Sequence, residues 1–313
     1  MKISIVIPTY NGEKFIEHAL LSSLYQSRPA DEIIISDDNS TDSTLDICSK
    51  YKDTISIYQN HNGPSGFVNG WNNAISYATG DFISILHQDD ILDLKFLEEI
   101  EKAINLFPDV KHFFTPCYYI DTDGKIIETP TYCTGETKLY TGREYVAAYQ
   151  KIGKPHIHRC PGVVTHKDIF KICRYNPNAG HIADDDFFYR VGQFTDVVGI
   201  LKPYASYRIH KFSETGHLQN VELVSRLAHD YIYQLNQWHG NDFLTKNEYK
   251  YFIHWAVYYT QQEILLGKKH SDISNINDIK KNISNLKALN ITVKNMSYYL
   301  KYFKLLINNL LQR

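Results

Sequence analysis

Apolar and polar positions run in two alternating periods along the first 110 residues. ISIVI (3–7), EIIIS (32–36), TISIYQ (54–59) and DFISIL (81–86) are short, largely apolar runs that read as strands. Each is followed by apolar residues at helical spacing. In EKFIEHALLSSLYQ, Phe15, Ile16, Ala19, Leu20 and Leu24 share one helical face. STDSTLDICSKY (40–51) opens with Ser and Thr that serve as N-caps, and FVNGWNNAISYA (67–78) and LKFLEEIEKAINLF (94–107) supply the next helices. Strands alternating with helices predict an α/β fold with a mostly parallel central sheet flanked by helices. Beyond residue 110 the pattern changes. FFTPCYYIDTDGKII predicts a hairpin turning at Asp123-Gly124, and PGVVTHKDIFKIC a strand running into a helix. HIADDDFFYRVGQF predicts a helix that begins with acids, and VVGILKPYASYRIH two short strands. From about 220 onward the chain reads mainly helical.

In open parallel sheets, ligands bind beyond the carboxyl ends of the strands. The residues standing there are Pro8-Thr9-Tyr10-Asn11, Ser36-Asp37-Asp38-Asn39, Asn60 to Gly66, and His87 to Asp90. All four sets are polar, and two carry paired acids. ILHQDD (85–90) is the sharpest case, because an apolar run stops at two adjacent carboxylates. Neighbouring carboxylates repel and raise each other's pKa unless something positive sits between them. A divalent metal carrying a phosphorylated ligand is one such partner.

Bulk composition narrows the field. A chain of 313 residues with a formal net charge of −2 has no general attraction to nucleic acid or anionic lipid. Cys48, Cys117, Cys133, Cys160 and Cys173 are scattered with no CxxC, so neither a disulfide framework nor a zinc site is indicated, and a reducing, cytoplasmic setting fits. No apolar run approaches the ~20 residues that span a bilayer, and MKISIVIPTYNG is too short in apolar length for a signal peptide. Any membrane contact is therefore expected to be peripheral.

The motifs IVIPTYN (5–11), SDDNSTD (36–42), the Asn72 to Gly80 segment leading into GDFISILHQDD (80–90), ADDDFFYR (183–190) and YRIH (207–210) occur together in one order. In that order they resemble a family 2 glycosyltransferase of the bacterial surface-polysaccharide type. The resemblance covers roughly residues 1–215. It implies a Rossmann-like GT-A domain over 1–215, with a nucleotide-sugar half (1–110) and an acceptor half (111–215), followed by a helical C-terminal region (216–313).

The roles implied are specific. Pro8, Thr9, Tyr10 and Asn11 would hold the nucleotide, with Thr9 and Tyr10 beside the base and Asp38 accepting a hydrogen bond from it. An ionised acid, being acceptor-only, suits a uracil or thymine imide N–H. Asn72 belongs to the same donor set. ILHQDD matches the metal-binding acidic region, with His87 where an acid usually stands. Asp90 is then the first metal ligand, Asp89 the ribose contact and His210 of YRIH a further ligand to Mn²⁺ or Mg²⁺. In ADDDFFYR, Ala183 stands at a usual Glu, Asp184 at the catalytic base, and Asp185 and Asp186 remain alternates for it. Trp71 stands where relatives often carry Arg, which leaves the donor diphosphate's charge to the metal and to Lys or Arg elsewhere. The HIHR run (156–159) with Cys160-Pro161-Gly162 would line the acceptor side.

The activity implied is inverting, metal-dependent transfer from a UDP- or dTDP-sugar to a glycan or lipid-linked glycan. The alternative is a non-catalytic nucleotide-sugar or glycan-binding partner in an assembly complex, which His87, Ala183 and Trp71 keep open. The absence of GxGxxG after the first strand argues against a dinucleotide-dependent oxidoreductase. Without a Gly-rich, Lys-bearing loop, a nucleotidyltransferase is disfavoured as well. Acids at the start of a helix also favour its dipole without any catalysis, as Asp89-Asp90 would before a helix near Leu94. The tail NMSYYLKYFKLLINNLLQR (295–313) fits a membrane surface, packing against its own domain, or pairing with another subunit.

Overall fold

The computed structural model describes residues 1–130, 132–149, 156–210, 221–238 and 240–270. The chain divides into two units, Met1–Pro177 with Ala183–Lys211, and Asn178–Ile182 with Phe212–Arg313. In the first unit the elements run β1 (Ile3–Thr9), α1 (Ile16–Leu24), β2 (Glu32–Asp37), α2 (Thr44–Ser49), β3 (Ser56–Gln59), α3 (Phe67–Tyr77), β4 (Phe82–Ile85), β5 (Ile91–Leu92) and α4 (Phe96–Leu106). They continue β6 (His112–Phe114), β7 (Cys117–Ile120), β8 (Ile126–Glu128), β9 (Thr137–Tyr140), α5 (Gly142–Tyr149), β10 (Val163–His166), α6 (Lys167–Ile172), α7 (Ala183–Val191), β11 (Val197–Ile200) and β12 (Ala205–Arg208).

Eight strands form the main sheet in the order β3-β2-β1-β4-β10-β6-β11-β9. The predicted strand–helix units give its parallel half, β3-β2-β1-β4. β1 is buried along its whole length, with Ile3, Ile5, Val6 and Ile7 fully enclosed. That is the continuous apolar signature of a strand covered on both faces. Ile16, Ala19 and Leu20 of α1 and Phe96, Leu97 and Ile100 of α4 join the same core.

The second half of the sheet is mixed. β10 is antiparallel to both β4 and β6, and β11 is parallel to β6 but antiparallel to β9. This antiparallel insertion has a consequence for the site. Val164 pairs with Ser84, so the residues just before β10, Cys160 to Gly162, lie alongside the carboxyl end of β4. The register thereby carries the HIHR–CPG segment to where ILHQDD begins.

A smaller sheet, β5-β12-β7-β8, flanks this end. The predicted hairpin at Asp123-Gly124 is β7–β8, with Gly124 at φ 82. Asp89 and Asp90 sit where the chain passes from β4 in one sheet to β5 in the other, and Ser206 of β12 pairs with Ile91. In the second unit, α8 (Val221–Trp238) and α9 (Lys246–His270) pack through stacked Trp238 and Phe252, and Tyr249 donates to the Leu235 carbonyl at 3.1 Å. Among the described residues no helix is long and apolar enough to cross a membrane. The tail 295–313 lies outside the described residues.

Candidate active site

Leu86 still bonds to β1, its N–H donating to the Val6 carbonyl. The chain then turns at His87 to Asp90, closed by the Asp90 N–H on the His87 carbonyl at 3.2 Å. This turn is no helix cap. α4 begins at Phe96, and Asp93, not Asp89 or Asp90, bonds the N–H of Lys95. Asp90 is 1% exposed, and its Oδ1 accepts the Arg208 N–H at 2.8 Å. Its Oδ2 has no hydrogen-bond partner, nor has the buried Nε2 of His87. Burial, and after it the Asp89 charge, push the Asp90 carboxyl well above the usual carboxylate range, against the pull of Arg208. Burial also holds the His87 imidazole low, so it is a neutral ligand-type group.

Donor atoms of His87, Asp89 and Asp90 lie within 4.8 Å of one another. His210, expected among the ligands, instead sets its Nε2 2.8 Å from Asp89 Oδ2. A buried carboxylate oxygen with no donor is costly. Oxygen and imidazole donors converging on one point suit Mn²⁺ or Mg²⁺, so the residues fit a divalent cation.

Arg208, within YRIH, is the fixture of this corner. It is fully buried, its Nε donates to the Asp89 carbonyl at 2.7 Å, and its Nη1 donates to the carbonyls of Asp121 and Thr122. It also lies over the Phe15 ring, 4.7 Å from the centroid. Arg208 thus ties the second sheet to the acid pair. Sequence reading chose His210, two residues on; Arg208 itself closes the short strand ASYR, which carries no apolar pattern to mark it.

The nucleotide-side residues gather at the ends of β1 and β2. Pro8 lies within β1 opposite Ser36. Thr9, expected beside a base, is 3% exposed, and its Oγ1 donates to Gln88 Oε1 at 2.6 Å. Gln88 also receives the Tyr10 N–H, so it latches the β1 end to the acidic turn, while the Tyr10 side chain stays exposed. Asn11 adopts φ 48, a left-handed conformation that Asn tolerates, and its Oδ1 accepts the Thr41 N–H. Asp38 accepts from Asn60 Nδ2, Ser65 N and Ser65 Oγ, which folds the 60–65 loop over the β2 end. Three of its roughly four acceptor positions are thereby used. Asn72 donates to the Tyr175 carbonyl at 2.8 Å and leaves its buried Oδ1 without a partner. Trp71 stacks on His87 with ring centroids 4.9 Å apart.

The three acids of ADDDFFYR stand in the first turn of α7 but are held differently. Asp186 Oδ2 accepts from both Nε and Nη2 of Arg190. Asp185 Oδ1 accepts from Tyr149 Oη at 2.7 Å and lies 3.3 Å from His156 Nδ1. Burial acts to raise the Asp185 carboxyl, but His156, Arg159 and Tyr149 together keep it below its ordinary value. Asp184 makes one hydrogen bond, from the Asp185 N–H. It is half-buried, and burial plus the Asp185 charge push its carboxyl up to about 7. The Arg159 charge favours the ionised forms of Asp90, Asp184 and Asp185 alike, so it acts on both acidic centres.

A family model, glycosyl transferase family 2, matches residues 4–158. A Campylobacter jejuni protein named GalNAc(5)-diNAcBac-PP-undecaprenol beta-1,3-glucosyltransferase is 32% identical over 128 residues, 40% of this chain and 40% of that protein. A Staphylococcus aureus poly(ribitol-phosphate) beta-N-acetylglucosaminyltransferase, TarS, is 34% identical over 109 residues, 34% of this chain and 19% of its own length. The matched part therefore spans less than half the length of these curated relatives. The crystal structure of S. aureus TarS 1–349 with UDP-GlcNAc superposes with a TM-score of 0.58 at 18% identity, covering 92% of this chain and 90% of that one. The Pyrobaculum calidifontis mannosyltransferase PcManGT with GDP-Man and Mn²⁺ gives 0.55 at 15% identity, covering 98% and 80%. At these identities the two structures establish a shared fold, the GT-A arrangement.

Proposed function

Residues 4–158 belong to glycosyl transferase family 2, and on that premise we propose that the protein is an inverting transferase acting on a nucleotide diphosphate sugar. The observation that carries this reading is Asp184. Of three clustered acids it alone lacks a side-chain partner among the described residues, and Cys160 feels the charge of both Asp184 and Asp90. In the proposed reaction an acceptor hydroxyl attacks the anomeric carbon while Asp184 takes its proton. The bond between that carbon and the diphosphate oxygen breaks on the opposite face, and the nucleoside diphosphate leaves. A carboxyl at about 7 is well matched to this task, since a general base works best with a pKa near the working pH.

On the donor side, Asp90 with Asp89 and His87 would hold Mn²⁺ or Mg²⁺, with His210 orienting Asp89. When bound, the cation supplies Lewis-acid stabilisation of the charge on the departing diphosphate. The β1 and β2 ends, with Asn11, Asp38 and the 60–65 loop, enclose the nucleoside, and a UDP- or dTDP-sugar is favoured. The acceptor we propose is a glycan or lipid-linked glycan of a bacterial surface polysaccharide. The domain proposal follows the same line, with catalysis in 1–215 and the helical region 216–313 beside it. Five unpaired cysteines suit a reducing cytoplasm. Peripheral membrane contact through the tail is part of the proposal.

The test is nucleoside diphosphate release and product mass from a panel of UDP-, dTDP- and GDP-sugars with Mn²⁺ and undecaprenyl-diphosphate glycan acceptors. Transfer from one donor, abolished in Asp184→Asn, supports the reading. Donor binding with no transfer to any acceptor would favour the non-catalytic alternative.

A further inference from the structure

Arg159 tunes the charge of the proposed base and is tied to Tyr119, yet most of its donors are left over. It precedes the Cys160–Gly162 turn that β10's register brings beside the end of β4. Its Nε donates to Tyr119 Oη at 3.1 Å. Its guanidinium carbon lies 5.8 Å from the Tyr119 ring centroid and 5.6 Å from that of Tyr207. Tyr119 and Tyr207 are partners in the β7–β12 register and stand edge-to-face, so the guanidinium is held against a fixed aromatic pair. The Nη groups have no protein acceptor among the described residues.

This is not an arginine that merely neutralises acids. Asp90, Asp184 and Asp185 all respond to its charge, yet none is paired with it among the described residues. Asp90 takes the Arg208 N–H, Asp185 takes Tyr149 and lies beside His156, and Asp184 takes the backbone of its own helix. The guanidinium fork is held in place but its outer donors are unspent. A planar fork of this kind matches the oxygens of a phosphate in a bidentate manner.

Charge balance says which phosphate. Once ionised by a bound divalent cation, Asp89 and Asp90 carry two negative charges that the cation cancels, and the Arg208 side chain is already spent on the carbonyls of Asp89, Asp121 and Thr122. The diphosphate of a nucleotide-sugar then meets the site with its own charge unmet. We propose that Arg159 grips the diphosphate of the donor, taking up charge that the metal leaves uncompensated; this rests on the donor-site reading above.

The experiment measures binding of UDP and of uridine, with Mn²⁺, to the wild type, Arg159→Gln and Arg159→Lys. Titration calorimetry serves for UDP and saturation-transfer NMR for uridine. Loss of a charge-assisted bidentate contact should weaken UDP by about 10- to 100-fold in Arg159→Gln, with uridine changed less than about twofold. Arg159→Lys should fall between, since it keeps the charge and loses the fork. Retained uridine binding shows that the variants are folded. UDP binding unchanged in Arg159→Gln overturns the inference and leaves the donor site standing, with the fork then facing an acceptor phosphate. Equal loss of UDP and uridine also overturns it. A wild type that binds neither UDP nor uridine overturns the donor reading and this inference with it.

Discussion

Replacing Asp184 by Asn removes one carboxyl while keeping its size and its bond from the Asp185 N–H, so the perturbation is confined to proton transfer. Loss of a positioned base costs ~10²–10⁴-fold in kcat. The structure adds a pH dependence. With the carboxyl at about 7, roughly a tenth is ionised at pH 6 and roughly nine tenths at pH 8, so kcat/KM should rise about tenfold across that interval. The charges that set this are Asp185, which raises it, and Arg159, which lowers it. Stability should run the other way. The folded-state value lies above the ordinary 3.8, so the protonated group's contribution is full below 3.8 and is lost as pH rises through about 7. A shift of that size corresponds to at most ~4 kcal/mol, and partial solvent access reduces it to roughly 1–2 kcal/mol. Asp184→Asn should therefore melt at the same temperature as wild type near pH 4 and higher at pH 8. The assay is initial-rate donor turnover from pH 5.5 to 8.5, paired with thermal melts. A variant with wild-type turnover, or the same rising limb without the carboxyl, refutes the role given to Asp184.

His87 converges with the acid pair while His210 bonds Asp89, so the proposed metal site takes its nitrogen from His87. In the Mn²⁺–UDP complex, electron spin-echo spectra should show ¹⁴N coupling that is lost in His87→Gln and kept in His210→Gln; the reverse pattern contradicts the convergence of His87 with the acid pair. Arg190→Ala removes two charge-assisted bonds from the Asp186 carboxylate, which is 2% exposed, and should destabilise the fold by about 3 kcal/mol, read by chemical denaturation. A loss under about 1 kcal/mol would mean that water replaces the arginine at little cost.

The parallel half of the sheet was legible because each strand and its following helix carry their own local period. β1 is apolar on both faces, and α4 repeats its core residues at helical spacing. β5 escaped notice because Ile91–Leu92 is too short to show any period. β9 was missed because Thr137, Lys138 and Leu139 are exposed, which leaves an edge strand without an apolar signature. FFTPCYYI looked like one strand of a hairpin, yet Thr115-Pro116 breaks it so that β6 and β7 serve different sheets. That division follows from pairing partners far away in sequence, which no local pattern encodes. The acids of the site stood out because strand ends are predictable. Their supports did not, since Gln88 reaches Thr9, Arg208 reaches Asp89 and Tyr149 reaches Asp185 across long sequence separations. The resemblance put Asp184 at the base position with Asp185 and Asp186 as alternates, and only the structure shows Tyr149, His156 and Arg190 engaging those two.

The central claim is a metal-dependent nucleotide-sugar site built on Asp90, and nucleotide binding tests it directly. Calorimetric titration of UDP, dTDP and GDP into wild type and Asp90→Ala, each with and without Mn²⁺, is the measurement. The account predicts that the wild type binds one of these nucleotides, that binding weakens at least tenfold without Mn²⁺, and that Asp90→Ala abolishes the metal effect. Binding of none of them by a folded wild type, or equal binding by Asp90→Ala with the metal effect intact, would contradict it.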